Sequence, residues 1–94
     1  MAADIILDLV KTRLNRIGVS ELDEYLETRI HAAIDKLTAD GIHLEETDGD
    51  NMFIADFVVW QYQSRDKPGG MPDWLRQARR ERWLQDRGNA HVVG

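Results

Sequence analysis

"MFIADFVVWQY", residues 52–62, is apolar nearly all the way round a helix, with Asp56 and Gln61 as its polar interruptions. A helix without a polar face is buried on most of its sides. In a chain of 94 residues that makes it the central element, or one partly covered by another subunit. The expected fold is therefore all-α, a compact four-helix bundle with a largely buried third helix, spanning 51–65 and capped by Asp48 or Asp50. Asp56 should pair with an arginine, because an unpaired buried carboxylate is costly. Arg13 and Arg29, each on or near an apolar stripe, are the candidates.

Outward from this helix the chain divides at its glycines. Residues 4–17 carry Ile5, Ile6, Leu9, Val10, Leu14 and Ile17 at helical spacing, with Asp4 as N-cap and Gly18 as the stop. Ser20 then opens a second helix, Asp23 completing a weak capping box. Its stripe is Leu22, Leu26, Ile30, Ala33 and Leu37, widened by Tyr25 and Ile34. Gly41 ends it, with Ile42 and Leu37 as the apolar pair that accompanies a Schellman ending. The acidic stretch "IHLEETDGD", 42–50, has no helical period and reads as a loop. "RDKPGG", 65–70, breaks the chain before a fourth helix.

That fourth helix, "MPDWLRQARRERWL" (71–84), has Pro72 suited to its first position. Projected at 100° per residue from Trp74, Ala78 falls at about 40°, Met71 at about 60° and Leu75 at about 100°. Trp83 falls at about 180° and Leu84 at about 280°, among arginines. Trp74 is thus expected in the core. Trp83 and Leu84, with Arg80, Arg82 and Arg87, are expected to meet another chain, since Trp and Arg dominate interface hot spots. Residues 1–88 read as one helical domain and 89–94 as a flexible tail.

Charge is unevenly placed. Residues 1–64 hold five Lys/Arg against thirteen Asp/Glu, whereas 65–94 hold seven against four. The acidic body argues against a dedicated nucleic-acid binder, which needs dense cations for phosphates. The arginine-rich helix can stack on single strands. A solvated face, or a protein surface, explains it better. There is no cysteine, which excludes disulfides and thiolate chemistry and suits a reducing cytoplasm. No signal-peptide pattern and no membrane-length apolar run is present.

The search for chemistry finds no active site. His31 and Asp35 stand i,i+4, but no second ligand pair matches them. His43 belongs to a solvated acidic loop. "DGDN" at 48–51 fails the ligand spacing of a calcium loop. Gly69–Gly70 lacks the Lys-Ser/Thr of a phosphate cradle, and Ser20 and Ser64 have no neighbouring base. The chain is expected to be neither an enzyme nor a holder of metal or cofactor.

The run of Val58, Val59, Trp60, Tyr62 and Arg65, followed by a glycine break and then Met71, Pro72, Leu75 and Arg76, resembles the head–tail connector (head-completion, adaptor) proteins of long-tailed bacteriophages and prophages. The likeness covers most of residues 4–84; the loop 41–50 and the tail after 87 are shorter than in some relatives. The resemblance implies a non-enzymatic structural virion protein. It would form a homo-oligomeric ring of about a dozen copies beneath the portal protein. Such a ring extends the DNA channel during packaging and docks a tail-side connector protein. It is assembled in the host cytoplasm and resides at the head–tail junction of the virion. Glu45, Glu46, Asp48 and Asp50 are then expected to line that channel, where an acidic surface lets DNA slide without sticking. A small helical regulatory or antitoxin-like interaction module is the alternative, and its particle would be a dimer rather than a ring.

Overall fold

The protein is represented by a computed structural model that describes residues 3–15, 18, 20–65 and 69–92, the side chains of Ala3 and of 86–92 lying outside the described set. Four helices follow in order: α1 (Ala3–Arg13), α2 (Asp23–Ala39), α3 (Asp48–Gln63) and α4 (Asp73–Val92). Among the described residues there is no strand. None of these helices is long and apolar enough to cross a membrane. α3 is the hub. It packs against α1, α2 and α4, and α1 and α2 pack against each other.

The central helix is buried as its composition demands. Phe53, Ile54, Ala55, Phe57, Val58 and Val59 are all buried, and Phe57 stacks edge-on against half-buried Trp60, ring centroids 5.7 Å apart. α1 contributes Ile6, Leu7 and Val10, and α2 contributes Leu26, Ile30, Ala33 and Leu37. Burying side chains of this size contributes roughly 1.5–3 kcal/mol each before conformational entropy is subtracted.

The helix ends differ from expectation in instructive ways. α1 stops at Arg13 rather than 17, because Asn15 adopts φ +57°, a left-handed conformation that asparagine tolerates. Ile17 lies outside the described residues. Asp4 is not the cap but a first-turn residue, where its charge suits the helix dipole. Ser20 does not cap α2 either: its carbonyl accepts from the Asp23 N–H in a preceding turn (3.1 Å), and the helix begins at Asp23. Lys11 of α1 holds Asp23 there at 2.8 Å.

The end of α2 is as expected. Ile42 N–H donates to the Leu37 carbonyl and Gly41 N–H to that of Thr38, each at 3.0 Å, with Gly41 at φ +93°. α3 is capped by Thr47, not by an aspartate: Thr47 Oγ1 accepts from the Asp50 N–H at 3.1 Å. Asp48 and Asp50 lie within its first turn. α4 runs on to Val92, past the boundary at 88.

Candidate functional site

The largest departure from expectation is on α4, the element singled out for partner binding. The two tryptophans exchange roles. Trp74 is 54% exposed, whereas Trp83 is half-buried and packs against the core. A Cβ added at Gly41 would meet Trp83 Nε1 at 3.4 Å, so the indole edge lies over the glycine that ends α2. The inner face of α4 is centred on Leu75, fully buried, with Met71, Ala78, Arg79, Arg82 and Trp83 half-buried around it. Measured from Leu75, Arg82 and Arg79 fall at about −20° and +40°, and Trp74 at about −100°. Two arginines thus occupy the places where a stripe of apolar residues would be sought.

Their charges are matched across the fold. Arg82 pairs through Nη1 with Asp50 Oδ1, donates through Nη2 to the Gly49 carbonyl at 2.9 Å, and stacks over the Phe53 ring at 4.7 Å. Asp50 is itself only 5% exposed. Its Oδ2 accepts from the Glu45 N–H at 2.6 Å. One carboxylate therefore ties together the 42–47 loop, the first turn of α3 and the middle of α4. Arg79 pairs with Asp40 at the C-cap of α2, and Lys36 stands 3.6 Å from the same oxygen. The Arg79 hydrogen bond holds the Asp40 carboxyl below its usual range, against a smaller opposing effect of burial and with help from Lys36.

These pairings correct several expectations. Asp50 is a buried structural residue, not one of an exposed acidic row. Arg82 turns inward to hold it instead of standing in an outward basic cluster. Trp83 does not stand clear of its own chain. Of the remaining residues, Leu84 is 47% exposed, and Arg80 is exposed. The side chain of Arg87 lies outside the described residues. Glu45, Glu46 and Asp48 are exposed, and Glu45 is 3.2 Å from His43 Nε2. Glu46 has φ +61°, which turns the loop into the cap at Thr47.

Asp56 pairs with Arg13, one of its two candidates. Its side chain keeps 24% of its exposure and that of Arg13 keeps 44%, so the pair sits on a seam and not in the deep core. Arg29, the other candidate, instead donates from Nε to the Tyr25 hydroxyl at 3.1 Å. Tyr25 meets Tyr62 edge-on at 6.2 Å, and Arg65 lies 4.2 Å above Tyr62.

The flank of α4 on the Arg79 and Trp83 side of Leu75 borders a groove of about 240 Å³ lined by Asp40, Ile42, Arg76, Arg79, Arg80 and Trp83. It combines guanidinium groups with an aromatic edge and an apolar floor. Such a surface can receive carboxylates and bury the stem that carries them. No protein-family model, curated protein or solved structure matches the chain.

Proposed function

We propose that this chain is a head–tail connector subunit of a long-tailed bacteriophage or prophage, a structural protein of the virion that forms a ring under the portal. The observation that carries the reading is the way α4 is attached. It is held by a single strip, Leu75 with Arg79, Arg82 and Trp83, and leaves Trp74 and Leu84 about half exposed on its other sides. Large apolar residues on the open sides of a narrowly docked helix suit contacts with neighbouring chains. The sequence resemblance of most of residues 4–84 to the connector proteins supports the same reading. In this reading Trp74, Leu84 and Arg80 face the neighbouring subunit or the portal. Glu45, Glu46 and Asp48 border the channel and offer DNA phosphates no cation. The chain performs no catalysis.

Co-expression with the portal protein of the same phage or prophage tests the proposal. A complex of ring size containing both chains, resolved by mass photometry, is expected. A chain that leaves the portal free and forms only a dimer identifies the regulatory module instead.

A further inference from the structure

We infer that the groove on α4 is a socket for the outer face of α2 of a second copy of this chain. The inference rests on the reading of the protein as a self-assembling subunit and names the contact that such assembly uses.

The face in question carries Glu24, Glu27, His31 and Asp35, all exposed. Relative to the buried stripe of Leu26, Ile30, Ala33 and Leu37, these four point about 90–170° away from the core. Among the described residues none of the three carboxylates is ion-paired; the cations of α2 and its neighbours are committed to Asp23, Asp40, Asp56 and Tyr25. The result is an acidic stripe roughly 16 Å long, at 1.5 Å per residue, that no described cation of its own chain meets.

The groove is its counterpart. Arg76 and Arg80 stand one helical turn apart on the exposed side of α4, with Trp83 three residues further on. Arg80 makes no ion pair among the described residues. Arg76 has only a loose one, 3.7 Å from a 98% exposed Asp73. Arg79, in the same wall, already binds one carboxylate, Asp40. Arg76, Arg80 and Trp83, spaced by four and three residues, line one side of α4, as Glu24, Glu27 and His31, spaced by three and four, line one side of α2.

The two glutamates of the stripe lie too far along α2 to reach the groove of their own molecule. The groove opens at the C-terminal end of α2, beside Asp40 and Ile42, and Glu24 is about 24 Å away along the helix axis. A surface that matches a different surface of the same molecule makes heterologous, head-to-tail contacts, and these close into rings when the rotation permits. A second copy is therefore the occupant that the charge pattern selects.

Two doubly reversed chains test the contact: Glu24→Lys with Glu27→Lys, and Arg76→Glu with Arg80→Glu. All four residues are exposed, and circular dichroism confirms that each variant folds. Sedimentation velocity at low ionic strength is then run on the wild type, each variant and their equimolar mixture. Wild-type self-association is expected, weakened by added salt. Each variant alone should associate about tenfold or more weakly, because like charges now face each other. Mixing should restore association to within about threefold, since the lysine stripe of one variant meets the glutamate groove of the other. If both variants associate as tightly as the wild type, this contact is overturned while self-assembly stands. If the wild type stays monomeric at millimolar concentration and the mixture shows nothing, the contact is likewise overturned. The connector reading is then decided separately by co-assembly with the portal.

Discussion

The body formed by α1, α2 and α3 and the fourth helix are held by different forces. In the body, side chains such as Ile6, Leu26, Ile30, Ile54 and Phe57 are enclosed completely, and cohesion comes from apolar area removed from water. Among its described side chains α4 contributes one that is fully enclosed, Leu75, and is otherwise fastened by Arg82 to Asp50, by Arg79 to Asp40 and by half of an indole. Apolar packing is non-directional and tolerant. Arg–carboxylate pairing is directional and sets register. A helix fastened the second way keeps its orientation on the body while leaving more of its surface available to other chains.

The first way to break this contrast is to attack the body. Phe57→Ala should cost about 3–5 kcal/mol, the usual cost of removing a buried aromatic. That is a large part of the stability of a small domain. Denaturant unfolding should show the whole chain losing structure in one transition.

Removing the main fastening of α4 should act more locally. Asp50→Ala strands Arg82, frees the Glu45 N–H and removes the link between loop and helix. A loss of about 3 kcal/mol is expected, at the lower end for breaking a buried pair because the Arg82 side chain keeps 26% of its exposure. Hydrogen exchange should show α4 amides losing protection before those of α2 and α3.

The tryptophans sharpen the comparison at smaller cost. Trp83→Ala should destabilise by about 2 kcal/mol, in proportion to its partial burial. Trp74→Ala should change stability by less than about 0.5 kcal/mol, as an exposed residue does. Thermal melts of the two variants decide between this assignment and its reverse.

These assignments also show what the sequence could and could not tell. The all-α fold, the buried third helix and the glycine ending of α2 were legible because each is written in local pattern: apolar period, or Gly41 followed by Ile42. The orientation of α4 was not. A stripe anchored on Trp74 counts the largest apolar residue as buried and treats every arginine as solvent-facing. Arg79 and Arg82 belong to the inner face because Asp40 and Asp50 wait there, thirty or more residues away in the chain. Centring the projection on Leu75 would have placed both on one side with Met71 and Ala78. Nothing local reveals their acidic partners. The same blindness made Asp50 look like part of an acidic surface, and Asp48 or Asp50, not Thr47, the obvious cap.

The smallest effect concerns pH. Because Arg79 lowers the Asp40 pKa in the folded chain, the stabilisation from this pair is fully present above the unfolded carboxylate value, ~3.9. It is lost as pH falls through the lower folded value. Asp40→Asn should therefore melt below the wild type at neutral pH, and the gap should close as the solution is taken below about pH 4. A gap that persists unchanged in acid would assign the effect of the substitution to packing.

That charge pairing, and not apolar area, sets α4 on the body is tested most directly by a double-mutant cycle on Asp50→Asn and Arg82→Gln, read by denaturant unfolding. Partners in a half-buried ion pair with additional hydrogen bonds should couple by about 1.5–3 kcal/mol. The double variant would then be little less stable than either single one. Coupling below about 0.3 kcal/mol, with the two losses simply adding, would mean that Asp50 and Arg82 act independently and that this pair does not set α4 on the body.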